Sequence, residues 1–194
     1  MKTMSKLGLA CLLAAFLSLG ALGRSAAPDL LKAHADIAGA PGSGISGTAV
    51  FLQIGTGILP TVQVIVTVDG LAPGTKHGFH IHENGLCGDN PGPPVAPFGQ
   101  AGGHFDPGPF GNSTPPDTNH PFHMGDLPNL KADSHGRATF ITTTSRITLS
   151  DGPLTILDGN GSAVIVHALE DLGTTGLPPG AGGARIACGI VVAD

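Results

Sequence analysis

The chain has 194 residues, with 41% hydrophobic and only 12% charged side chains, 31 glycines, 17 prolines and neither Trp nor Tyr. So much Gly and Pro excludes long helices and favours short strands joined by elaborate loops. A net charge of −5 and the absence of Trp and Tyr argue against a nucleic-acid partner, which needs a basic face and aromatic platforms for the bases.

Residues 1–27 read as a secretory signal peptide. Lys2 and Lys6 precede an uncharged apolar run over 7–22, and the small residues Ser25, Ala26 and Ala27 suit a cleavage site. The run is short for a spanning helix, which needs about 20 apolar residues, so no stable membrane insertion is expected after cleavage. Removal takes Lys2, Lys6 and Arg24 with it, and the charge of −5 becomes −8. The product is expected outside the cytoplasm, periplasmic or extracellular. Residues 28–38 read as a tail or first-strand start, and 39–194 as one β domain. Two cysteines remain, Cys87 and Cys188. In an oxidising compartment they most simply form one disulfide, with a pair of soft metal ligands as the alternative.

Alternating or β-rich runs occur at 33–39, 44–53, 61–68, 78–82, 127–131, 137–144, 162–169 and 185–193, nearly all separated by Gly, Pro, Asn or Asp. The pattern predicts an all-β antiparallel sandwich or barrel. Segments 85–126 and 171–184 are too long for simple turns, and long ordered loops on a β scaffold are where sites usually sit.

His80 and His82 alternate within Gly78-Phe79-His80-Ile81-His82. In a strand they share one face, about 6.5–7 Å apart, while Phe79 and Ile81 point into the core. His167 ends the apolar run Val164-Ile165-Val166 and projects the same way. His104 lies in Gly102-Gly103-His104-Phe105-Asp106-Pro107, where Asp106 reads as a turn organiser, and His123 and Asp126 in His123-Met124-Gly125-Asp126. Imidazoles suit copper and zinc, and a carboxylate among imidazoles suits zinc. His77 reads as a structural hydrogen-bonding residue, and His34 and His135 as exposed.

These motifs, GFHIH, HENGLC, AGGHFDP, HMGDLPNL, VIVHALEDL and GGARIACGI in that order, resemble the copper/zinc superoxide dismutases, in particular their exported bacterial branch. The resemblance implies an eight-stranded Greek-key β-barrel with an immunoglobulin-like sandwich architecture and two long functional loops. It implies copper on His80, His82, His104 and His167, and zinc on His104, His123 and Asp126, with His104 bridging the two. Asp171 matches the carboxylate that orients metal-bound histidines, Arg185 the active-site arginine, and Cys87 with Cys188 the family disulfide. The implied reaction is dismutation of superoxide to dioxygen and hydrogen peroxide, with Arg185 and His104 in the catalytic roles. A copper-binding or delivery protein without catalysis is the alternative, and a homodimer is compatible with either. One departure concerns zinc and leaves a copper-only enzyme, with a weak zinc site or none, as the alternative to a copper/zinc one. The family carries a further histidine eight or nine positions after the bridging one, where this chain has Asn112 and Ser113. His120 is the remaining candidate for that nitrogen, and its place three residues before His123 demands a different loop path.

Overall fold

The computed structural model describes residues 30–55, 60–108, 122–173 and 182–194. The expected signal peptide and cleavage site, Asn112, Ser113 and His120 lie outside these. Among the described residues no helix is long and apolar enough to cross a membrane.

Among the described residues nine strands are present in chain order: β1 Leu30–Gly39, β2 Ser46–Ile54, β3 Thr61–Asp69, β4 Lys76–His82, β5 Asp126–Lys131, β6 Ala138–Thr144, β7 Ala163–His167, β8 Arg185–Ile190 and β9 Val192–Ala193. Eight of them form a sheet in the order β5-β4-β7-β8-β1-β2-β3-β6, antiparallel at every step. The two ends come together through the Ala132–Ala138 bridge pair, so the sheet curls into the expected, nearly closed barrel. A sheet that closes leaves few unpaired edge groups to recruit other chains.

Alternation sets which way each strand faces. On β3, Val62, Val64, Val66 and Val68 are buried while the residues between them are partly exposed, the period of two that a half-buried strand requires. They pack with Phe51, Phe79, Ile81, Leu130, Ile147 and Ile156 in one core. Burying each such side chain stabilises the fold by about 1.5–3 kcal/mol relative to exposure.

The run predicted over 185–193 divides in two. Val191 turns inward and donates its N–H to Ser162 O (2.9 Å), while Val192 and Ala193 continue as β9 against β1. His34, expected to be exposed, is only half so, and its Nδ1 pairs with the carboxylate of Asp194.

Strand β7 is buried at all five positions. Val164 and Val166 face the main core, and Ala163 and Ile165 meet a second, smaller cluster with Ala101 and Cys188, flanked by Cys87 and Phe98. The long segment after β4 therefore lies over the outer face of β7 as a packed layer. The Cys87–Cys188 disulfide fastens it to β8, and a short 3-10 turn, Gly99–Ala101, precedes His104. Within this layer Asn90 and Ala96 exchange backbone hydrogen bonds (3.0 and 3.3 Å), closing off the exposed residues 91–95.

Candidate metal centre

The barrel brings six predicted ligands into two groups that share one residue: His80, His82, His104 and His167, and His104, His123 and Asp126. In each group the potential ligand atoms lie within 4.8 Å of one another. β4 supplies His80 and His82, and the neighbouring β7 supplies His167 at its end. His104 is set beside His82 by an isolated bridge, with the hydrogen bond from Phe105 N–H to Ile81 O (2.8 Å) next to it. The His104 ring centroid lies 4.2 Å from that of His80 and 4.9 Å from that of His82. His80 and His167 are 4.9 Å apart.

Each histidine that β4 and β7 contribute has one nitrogen tied to an acceptor, which decides the tautomer. His80 Nε2–H donates to Asp171 Oδ2 (2.8 Å), His82 Nδ1–H to Gly102 O (3.0 Å) and His167 Nδ1–H to Gly183 O (3.0 Å). The lone pairs are thereby left on His80 Nδ1 and on Nε2 of His82 and His167. Those two Nε2 atoms are buried and find no hydrogen-bond partner among the described residues. A buried acceptor left in that state costs about 1–3 kcal/mol, and a borderline transition-metal cation such as copper fits this imidazole set and relieves the cost. On the other side, His104 Nδ1 lies 2.7 Å from Asp126 Oδ1, and His123 Nδ1 lies 3.2 Å from Asp126 Oδ2. A mixed imidazole and carboxylate set suits zinc.

Burial holds three of the imidazoles, those of His82, His104 and His167, neutral. Desolvation, reinforced by neighbouring imidazoles, lowers His167 to about 3 and His82 well below its ordinary value. It also takes His104 to about 4, although Asp126 pushes His104 back up. Neutral imidazole is the ligating form, so the site is prepared for metal at neutral pH. The metal-free protein should therefore be sensitive to acid. Between pH 6.5, where an unfolded histidine titrates, and the folded values, the unfolded chain binds more protons, so stability rises with pH there. The melting temperature of the metal-free chain is expected to fall as pH drops from about 6.5 towards 4, by on the order of a few kcal/mol in stability. A melting series flat across that window would contradict the neutral, desolvated site.

Arg185 opens β8, half-buried, and donates to Phe98 O (2.8 Å) and to Gly102 O. Gly102 O thus receives both Arg185 and the ligand His82. Beside Arg185 is an open cleft of about 370 Å³, lined also by Asn90, Ala96, Pro97, Gly99, Gly183 and Ala184. Burial lowers the guanidinium from its usual value and Glu83 raises it; an arginine remains cationic throughout. Asp171 is held by its backbone: its N–H donates to Asn129 Oδ1 (2.9 Å) and its carbonyl accepts from Asn129 Nδ2 (2.8 Å). His77, read as structural, spans from Thr75 Oγ1 (2.7 Å) to the carbonyl of His167 (2.8 Å).

Sequence reasoning passed over Gly102, Gly183, Asn129 and Arg146. The two glycines act through carbonyl oxygens, which leave no signature in a sequence. Asn129 sits in the HMGDLPNL motif without any expected role. Arg146 donates to the carbonyls of His123 (3.0 Å) and Asp126 (2.9 Å), from a position with no motif around it.

Known proteins resemble this chain in sequence and in fold. The family model described as copper/zinc superoxide dismutase matches residues 45–191. The chain is 39% identical over 153 residues to a superoxide dismutase [Cu-Zn] of Deinococcus radiodurans, covering 75% of this chain and 76% of that one. It is 35% identical over 167 residues to the human copper chaperone for superoxide dismutase, covering 83% of this chain and 53% of that one. Among solved structures, a SOD-like protein from Bacillus subtilis superimposes with a TM-score of 0.62 at 31% identity, covering 82% of this chain and 97% of that one. The chain belongs to the copper/zinc superoxide dismutase family.

Proposed function

We propose that this chain is an exported superoxide dismutase, holding copper on His80, His82, His104 and His167 and a second metal, zinc, on His104, His123 and Asp126. One observation carries the reading: Arg185 and the ligand His82 are fixed by the same carbonyl, that of Gly102. A protein that only stores metal has no use for a guanidinium aligned with its ligands. Copper, when bound, supplies a one-electron couple, and the overall reaction takes two superoxide anions and two protons to dioxygen and hydrogen peroxide. Asp171 keeps the His80 ring in its ligating orientation. Arg185 attracts the anion and stabilises its charge beside the ligands, with its own position set by Phe98 and Gly102. His104 would be the residue that holds a proton at Nε2 and passes it to the reduced anion, and Asp126, 2.7 Å from its Nδ1, would help set the ring. Steering is local, because the mature chain is acidic and Lys76 is paired with Glu170 (2.6 Å). Export is supported by the signal-like residues 1–27 and by the disulfide, which persists in oxidising compartments.

The 35% identity to a protein named as a copper chaperone favours a second reading, a copper carrier without turnover. The deciding experiment is the dismutation rate of the mature, oxidised protein with copper alone and then with zinc added. Appreciable turnover establishes the enzyme, and a rise on adding zinc places the second metal. Tight copper binding with negligible turnover in both conditions would sink the enzymatic reading. Arg185→Ala is expected to lower kcat/KM by at least about tenfold while copper affinity stays unchanged. Equal rates for parent and variant would remove Arg185 from the mechanism.

A further inference from the structure

Arg146 leaves β6 and enters the stretch where Ile147 and Leu149 are buried in the core. Its own N–H donates to Thr144 Oγ1 (3.1 Å), so its backbone is anchored to the barrel wall. Its side chain crosses to the turn between His123 and Asp126 and donates from both terminal nitrogens, to His123 O at 3.0 Å and Asp126 O at 2.9 Å. We propose that Arg146 is the positioning residue of the second metal half-site, holding the turn that presents His123 and Asp126 in ligating geometry before metal arrives. This rests on the reading of His104, His123 and Asp126 as that half-site.

Other restraints on the turn divide unevenly. Its middle is tied to the core by Gly125 N–H to Phe105 O (2.7 Å) and Ile81 N–H to Gly125 O (2.9 Å). Its ends are closed by Asp126 N–H to His123 O at 3.2 Å and by His123 N–H to Asp126 Oδ2 at 2.9 Å. The last of these uses a carboxylate oxygen that a bound metal would draw upon. The guanidinium grips only carbonyls on the two ligand-bearing residues, so its hold is the same with or without metal. A planar fork that reaches two oxygens at once is particular to arginine; a lysine ammonium is a point donor on a flexible stem. The departure at Asn112 and Ser113 adds weight, because a half-site without that family histidine would depend more on the rigidity of its other ligands.

The test uses the mature, disulfide-bonded chain with copper already bound. Zinc is titrated against a chromophoric chelator, and Co(II) serves as a spectroscopic probe of the same position. Arg146→Ala is expected to weaken zinc binding about 10–100-fold, the usual effect of removing a group that orients ligands. The visible Co(II) bands should change, and copper affinity should stay within about twofold. Arg146→Lys is expected to lie between the two. Zinc affinity and Co(II) spectrum equal to the parent's would overturn the proposal. So would an equal fall in copper affinity, which would make Arg146 a general support of the fold. Should the alanine variant fail to fold, parent-like zinc affinity in the lysine variant would overturn it as well. If the parent itself takes up neither zinc nor Co(II) beside copper, the half-site reading fails together with the proposal, an outcome distinct from a parent that binds and a variant that binds equally.

Discussion

Replacing Gly102 with alanine is expected to lower dismutation by roughly two orders of magnitude and to weaken copper binding at the same time, although residue 102 contributes no ligand. Gly102 has φ +77° and ψ −154°, a conformation that side-chain-bearing residues adopt only at a cost of about 1–3 kcal/mol. An added Cβ would lie 2.5 Å from Asn84 Nδ2 and from Glu83 Oε1. The Asn84 and Glu83 side chains can move aside, but the positive φ strains any residue with a Cβ whatever the space, and rotating the peptide relieves that strain. Its carbonyl then leaves His82 and Arg185 together, and Gly103 N–H leaves Glu83 Oε1 (now 2.8 Å). The site would lose one ligand's tautomer control and the anion-binding group in a single step. Gly159→Ala is the control, since a Cβ there meets nothing within 4 Å. The check is the copper affinity and the rate of both variants beside the parent. A Gly102→Ala protein with parental values would show that the shared carbonyl has no part in holding the site.

The second large effect concerns the covalent link. Cys87 and Cys188 are 101 positions apart, and closing a loop of that length stabilises a fold by up to about 4–5 kcal/mol in the chain-entropy model. Replacing both with alanine is expected to lower the melting temperature by about 10 °C, given 2–4 °C per kcal/mol in a domain of this size. Activity is expected to fall further than unfolding accounts for. Cys188 lies three residues beyond Arg185 on β8, and the Phe98 and Gly102 carbonyls that receive Arg185 belong to the layer that Cys87 fastens down. The measurement is the rate well below the new melting temperature, with copper saturating. Full activity there would mean that the packing of Phe98, Ala101 and Ile165 holds the layer without the covalent bond.

The strands were legible because their alternation is a direct consequence of burial on one side. The four valines of β3 and the Phe79/Ile81 pair of β4 show this most clearly. The boundary inside 185–193 was not, because Val191 is as apolar as its neighbours and only its hydrogen bond to Ser162 separates β8 from β9. The same division runs through the site. Histidine and aspartate announce themselves as candidate ligands by type and spacing, the family resemblance divided them into two groups, and both groups are assembled in space. The atoms that orient them are mostly main-chain oxygens of Gly102 and Gly183, which any residue carries. Arg146 reaches its partners from about 20 positions away, and a lone arginine after a threonine-rich strand offers no pattern to read. Asn112, Ser113 and His120 lie outside the described residues, so the fourth position of the zinc group is a matter for the zinc and Co(II) titrations.

The paired hydrogen bonds between Asn90 and Ala96 divide the overlying layer into two parts with different tolerance for change. Residues 91–95 project into solvent beyond a closed pair of main-chain bonds, and nothing that holds Arg185 or His82 passes through them. Foreign sequence, such as an affinity tag, a fluorophore attachment point or a surface anchor, can replace that tip without disturbing the ligands. Residues 98–105, a few positions further on, offer no such freedom. The molecule thus carries, within one loop, a graftable handle directly beside the part least able to accept an insertion.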